Sequence, residues 1–375
     1  IVREGFGAFW GFLKAWTEML VSGPGSVAGV AIIFGEFFTE FMGSHSQWPP
    51  PTWGVAAVLV FTAINLMGIR WGGMIQVIIT LIKIAALLVL VFGSLLLAEA
   101  TPVTETVSQA EGAHELWGFI RLVGLGIGAV LFTYDGWVDI SHVAGEVKHP
   151  KKILPLGLIV GVGAIALLYL LVNWAFLRIV PLQAMREEPT LIAATVARAT
   201  FGEAGAKLIT GLIMVSIFGA LGGLVMTLPR LYFAIGVQYA KQTRKGHPLN
   251  WFFRVLSGVS ARTAAPVGAI LFVAVLSCIA LLFFRTFSRV VNFFVVSNYF
   301  FNILLIGAVF KLRRRSANEE AYRAPGYPVV PLIFMVVIAG FLISALVYRP
   351  EDTFIGVVLT ALGIPFYFWI RNRGE

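Results

Sequence analysis

The sequence predicts an all-α integral membrane bundle, and three observations carry the prediction. Apolar runs of about 20 residues, the length a helix needs to cross a bilayer, recur along the whole chain. The composition is 58% hydrophobic and only 13% charged, with a mean hydropathy of +0.88, unlike a soluble domain of this length. One run, from Trp117 to Pro155, carries Thr133, Tyr134, Asp135 and Gly136 at its middle. A carboxylate near the centre of a membrane helix is expensive and by default marks a functional site.

Ten spans are expected, at roughly 9–38, 53–69, 74–98, 118–143, 155–178, 206–229, 265–284, 290–311, 329–348 and 353–370. The first holds Pro24 between Gly23 and Gly25 and is expected to bend there. The third carries Lys83 midway along its length, too deep for comfortable snorkelling. A buried ammonium needs a partner or loses its proton, so Lys83 reads as a fixed positive charge standing in for a coupling cation. The fourth is the interrupted run. Gly136, with Gly124, Gly126 and Gly128 before it, gives the backbone freedom that an unwound segment needs. The fifth has Tyr169 and Asn173 one turn apart, able to face one cavity.

The sixth and eighth spans carry Ser216 and Thr227, then Asn292, Ser297, Asn298 and Asn302, which read mainly as interhelical hydrogen-bond partners. Glycine pairs four apart (25 and 29, 124 and 128, 157 and 161, 219 and 223) read as close helix packing. Linkers are short, so residues 1–375 are expected to form a single membrane domain.

Loop charge sets the orientation. Arg70, Lys148, Lys151, Lys152, Lys241, Arg244, Lys245, Arg254, Arg262, Lys311, Arg313, Arg314, Arg315, Arg323, Arg371 and Arg373 fall in one set of loops. Residues 39–52 and 99–116, in the alternate set, hold no Lys or Arg. By the positive-inside rule the first set and the C-terminus are cytoplasmic, in a multi-pass protein of the inner or plasma membrane. This placement also explains the net charge of +9 without a nucleic-acid partner. Cys278 is the lone cysteine and lies inside an apolar run, so no internal disulfide exists. There is no phosphate loop and no Ser/His/Asp arrangement. The His residues 45, 114, 142 and 149 form no metal-ligand cluster, so neither an enzyme nor a metal or other cofactor is expected.

Where a membrane helix breaks, the carbonyls ending its first half carry the negative end of the half-helix dipole and suit a substrate ammonium. Phe132, Thr133, Tyr134, Asp135, Gly136 and Trp137 are therefore the candidate substrate-binding residues, with Lys83, Tyr169 and Asn173 as candidate coupling or gating residues. The residues alone leave other readings open. One is a polyamine or organic-cation transporter with Asp135 as acidic anchor. Another is a non-transporting sensor or remnant.

Several stretches together resemble one family. FTYDGW (132–137) followed by AGEVKHPKKILP (144–155) is similar to the sixth-helix signature of amino-acid permeases in the amino acid–polyamine–organocation superfamily. The likeness is to bacterial members of the L-amino-acid transporter branch. FGAFWGFLKAWTEMLVSGPGSVAG (6–29) resembles that branch's third helix, PRLYFAIGVQYA (229–240) the end of its eighth, and YRAPGYPVVPLIF (322–334) the start of its eleventh.

The resemblance implies a LeuT-type inverted-repeat bundle whose family helices three to twelve are the ten spans here. It implies sodium-independent exchange of an amino-acid substrate by alternating access at residues 132–137. Lys83 falls where many sodium-independent members carry a fifth-helix lysine, and Phe132 matches the family's aromatic gate. The first outside loop, 39–52, lacks the cysteine that animal members use to attach a partner glycoprotein, so no disulfide-linked heavy chain is expected. Family helices one and two find no counterpart, and the chain opens on Ile1 almost inside an apolar run. The expectation is an N-terminally incomplete permease, or a truncated product with poor transport.

Overall fold

The computed structural model describes residues 1–43, 47–68, 73–98, 126–128, 130–138, 147–187, 191–243, 248–315, 326–348 and 350–372. Of the residues singled out above, Arg70, Gly124, Arg244, Lys245, Arg323, Arg373, His45, His114 and His142 lie outside them, as do residues 144–146 and 322–325 of the two motifs.

Two helices open the chain, α1 (Val2–Phe6) and α2 (Ala8–Thr17), with Gly7 at φ 97° between them. A π-helical turn, Glu18–Ser22, joins α2 to α3 (Gly23–Met42). The span expected to bend is helical without a gap from Ala8 to Met42 and carries a widened π turn just before Pro24. Pro24 supplies the reason. It has no N–H, so in the π register the Met19 carbonyl loses its intrahelical donor. Tyr232, fully buried, replaces that donor: its hydroxyl lies 2.9 Å from Met19 O and 3.1 Å from Glu18 O.

The other helices are α4 (Pro50–Leu66), α5 (Gly73–Leu97), α6 (Pro150–Ile179), the short α7 (Leu182–Glu187), α8 (Ile192–Gln242), α9 (Pro248–Leu256), α10 (Val267–Phe284), α11 (Phe287–Arg315), α12 (Val329–Tyr348) and α13 (Pro350–Asn372). Among the described residues, 8 helices are long and apolar enough to cross a membrane, and α4 is a shorter apolar helix. No strand occurs among the described residues.

α8 outruns the expected span 206–229. Gly202, at φ 69°, turns an outer leg (192–201) into a helix that continues to Gln242. Pro229 does not end it, although a proline frees the carbonyl four residues back. Asn65 of α4 donates its Nδ2 to that carbonyl, Val225 O, at 2.6 Å. Beyond the proline, Tyr239 packs on Phe253 of α9 with ring centroids 5.5 Å apart, which keeps the extension folded.

The main core lies between α3, α4, α8, α10 and α11, where Val27, Ala31, Ile32, Phe61, Leu221 and Val273 are buried. A second cluster joins α11 to α12 through Val295, Tyr299, Ile338 and Phe341, and Ile127, Leu131 and Phe132 of the fourth span pack against it. α11 therefore belongs to both clusters. α6 is the least covered: Ile159, Val160, Leu167 and Leu170 are all more than half exposed, as lipid-facing side chains are.

The glycine pairs divide accordingly. A Cβ at Gly29 would sit 3.2 Å from Phe132 Cζ, one at Gly25 would sit 3.2 Å from Phe294 Cβ, and one at Gly219 would meet Ile79 of α5 at 2.9 Å. These are packing contacts. For Gly157, Gly161 and Gly223 no neighbour within 4 Å of such a Cβ is found among the described residues. The α6 pair lies on a helix the bundle barely covers.

Candidate functional site

The fourth span stops being a helix where the sequence places its polar residues. Tyr134 N still bonds Val130 O (3.0 Å), but Asp135 N bonds Phe132 O (3.2 Å), one residue closer. The helix tightens and ends, residues 134–138 form a turn, and Gly136 takes φ 97°. An L side chain is strained in that region, so the glycine is what allows the chain to leave the helix.

Four elements hold this end in place. Phe132 is set edge-on between two rings of α11, Phe287 (5.2 Å, 84°) and Phe294 (5.5 Å, 82°), and its tip rests over Gly29 of α3. Tyr299 of α11 donates its hydroxyl to Leu131 O at 2.8 Å, satisfying one of the carbonyls that a terminating helix leaves without an internal partner. Tyr134 meets Tyr169 of α6 edge-to-face at 5.4 Å, and Trp137 meets Phe334 of α12 at 6.3 Å.

Asp135 is tied into a polar chain. Asn298 of α11 donates Nδ2 to Asp135 Oδ1 at 3.0 Å, and Asn298 Oδ1 accepts from Lys14 Nζ of α2 at 3.3 Å. Lys14 also pairs with Glu18 at 2.5 Å, on the π turn of the first span. An unwound helix end at the interface of several helices, with aromatic neighbours, is an arrangement that can bind a small zwitterion.

The amino acid permease family profile matches residues 1–370. The chain belongs to the amino acid permease family. It is a multi-pass membrane transporter of amino acids, and not an enzyme. Among its relatives, the serine/threonine exchanger SteT of Bacillus subtilis is 30% identical over 379 residues, covering 99% of this chain and 81% of that protein. The b(0,+)-type amino acid transporter 1 of Homo sapiens is 25% identical, with 98% and 72% covered. The human cystine/glutamate transporter is 24% identical, with 98% and 70% covered.

Seen as a permease, the chain brings together Phe132, Asp135 and Tyr134 with α11 and α6. Thr133 and Gly136 are exposed at the break. Tyr169 reaches the break through Tyr134. Asn173 does not: its Nδ2 donates to Tyr169 O of its own helix at 2.8 Å. Lys83 is half-buried on α5, which packs against α8 and α6. Among the described residues no hydrogen bond, ion pair or ring contact joins it to residues 132–137. A cavity of about 470 Å³ lies elsewhere, lined by Asn65, Pro229, Arg230 and Thr263, and shares no residue with the break. Among the described residues no three His, Cys, Asp or Glu side chains group as a metal site requires.

Sequence reasoning missed Lys14 and Glu18; it read Asn298 as an interhelical hydrogen-bond partner, as found, without naming its partners. The signal was available for the first two. An acid and a lysine four apart inside an apolar run are ionisable groups within a span, the same feature that singled out Lys83.

Proposed function

We propose that this permease exchanges amino acids across the plasma membrane without sodium, by alternating access around the break at residues 132–137. The supporting observation is the helix end itself. The helix stops at Thr133, turns through Gly136 at positive φ, and sets Phe132 between α3 and α11. The negative end of the helix dipole there suits a substrate ammonium, and the Phe132 ring can close over the bound molecule. In this reading Phe132, Thr133, Tyr134, Asp135, Gly136 and Trp137 surround the substrate, while Lys83, Tyr169 and Asn173 serve coupling and gating. The fold is one permease domain that works without a disulfide-linked heavy chain, and its C-terminus faces the cytoplasm.

Small hydroxylated amino acids are the first substrates to try, because the bacterial relative with 30% identity is a serine/threonine exchanger. A polyamine reading would need Asp135 as an anchor, whereas its carboxylate already accepts from Asn298. Labelled serine trapped by counterflow into proteoliposomes, with and without sodium, tests the proposal. Uptake that needs internal amino acid but not sodium supports it, and absence of exchange for serine, threonine and other neutral amino acids ends it. Lys83→Ala should cut exchange by at least about tenfold, the effect of ~1.4 kcal/mol, with expression unchanged. An unaltered rate would make Lys83 structural.

A further inference from the structure

We propose that Lys14 and Asn298 are positioning residues of the transport cycle, and that the contacts Glu18–Lys14–Asn298–Asp135 form a catch tying the break to the first span. The inference rests on reading the break as the moving substrate site.

The geometry is specific. Lys14 Nζ lies 2.5 Å from Glu18 Oε2 and 3.3 Å from Asn298 Oδ1, and Asn298 Nδ2 lies 3.0 Å from Asp135 Oδ1. Asn298 is only 7% exposed. A carboxamide is the side chain that offers an acceptor at one corner and a donor at the other. It therefore faces an ammonium with its oxygen and a carboxylate with its nitrogen, and the opposite flip would present each end to a like charge. The charges at the two ends thus fix the amide's orientation, and the amide carries the influence of Lys14 to Asp135.

Two carboxylates share one ammonium here, one directly and one through the amide. Charged groups inside a span are costly and almost always pair with one another. The chain also spans three elements: α2, α11 and the break. Phe132 and Tyr299 already hold the break to α11 by packing and one hydrogen bond. The polar chain extends that hold to the charged pair on the first span. Polar contacts of this kind can open and re-form without leaving a cavity, unlike interlocked rings, and that is what a catch in an alternating-access cycle requires.

A swap of donor and acceptor tests this. Asn298→Asp alone places two carboxylates face to face and should lower the maximal exchange rate by at least about tenfold. In the double variant Asn298→Asp/Asp135→Asn, the carboxylate introduced at 298 accepts both from Lys14 and from the amide introduced at 135. Each contact is kept and the summed charge is unchanged, so the rate should return to within about threefold of the starting protein. KM for serine should follow the same recovery.

A second cycle guards against misfolding of the first variant. Lys14→Met and Asp135→Asn should each slow turnover with a smaller change in KM, and the pair together should be no slower than the slower single. A swap that stays as slow as Asn298→Asp, or effects of Lys14→Met and Asp135→Asn that multiply, would overturn the catch while the exchange reading stands. Absence of exchange by the unaltered protein would instead fail the reading beneath it.

Discussion

Two helix interruptions sit in this molecule, and they are handled in opposite ways. At the π turn Glu18–Ser22 the irregular backbone is enclosed, and the Met19 carbonyl that Pro24 leaves short of a donor is met by the hydroxyl of a fully buried tyrosine, Tyr232. At the break after Thr133 the backbone ends at a turn with Thr133 and Gly136 exposed, and Leu131 O is met by Tyr299 of α11. The first interruption is enclosed by the fold, and the second lies at an exposed turn. Irregular backbone at membrane depth survives only where protein or a water-lined cavity satisfies it. The π turn is the former case, and the break is the candidate for the latter. The comparison teaches that a broken helix is not by itself a site, because what counts is whether the fold has already filled the freed partners.

The largest expected effect comes from disturbing how the open break rests on the closed one's helix. Gly29→Leu drives side-chain carbons into Phe132, whose ring tip a bare Cβ would already approach to 3.2 Å. Overpacking of this kind costs about 1–3 kcal/mol, and because it falls on Phe132 it should abolish counterflow while the protein still elutes as a single species. Normal exchange in this variant would remove Phe132 from the moving part.

The two tyrosines give the next contrast. Tyr232→Phe should lower stability by about 1–3 kcal/mol, the cost of an unmet buried carbonyl, read as an earlier thermal midpoint in detergent with turnover per folded molecule little changed. Tyr299→Phe should do the reverse, changing turnover more than the midpoint, since it loosens the helix end at the break. Equal behaviour of the two variants would erase the distinction between the interruptions.

The smallest effect is expected at Pro229, a third place where a proline frees a carbonyl and a side chain closes it. Asn65→Ala removes the donor to Val225 O and should cost about 0.6–1.7 kcal/mol, the range for interhelical hydrogen bonds in membranes. Thermal unfolding would show it, with exchange kinetics unaltered.

Much of the fold was legible because each membrane helix must satisfy its own backbone and show an apolar surface, which writes long runs into the chain. The helices α5, α6 and α10 to α13 fall where those runs do. Boundaries were less legible where the deciding partner is remote. α8 continues through Pro229 because Asn65, far away in sequence, supplies a hydrogen bond. The first span holds a π turn that Tyr232 is placed to serve. At the break, FTYDGW and its glycine announced an interruption. Which polar residues would face Asp135 was not announced, since Lys14 and Asn298 lie 121 and 163 positions away (135 − 14 and 298 − 135).

The sequence by itself determined that this protein is a helical membrane transporter of the permease type and where its fourth span must fail as a helix. Hydropathy, loop charge and the positive-φ demand met by Gly136 are local properties, and they need no knowledge of neighbours. Only the tertiary structure decided which interruption is sealed and which is open, which glycines are packing surfaces, and that Asp135 is linked through Asn298 to the Lys14–Glu18 pair. Those outcomes depend on which side chain from a distant helix arrives within hydrogen-bond range. Distance in space between remote helices is set by packing, not by any pattern along the chain.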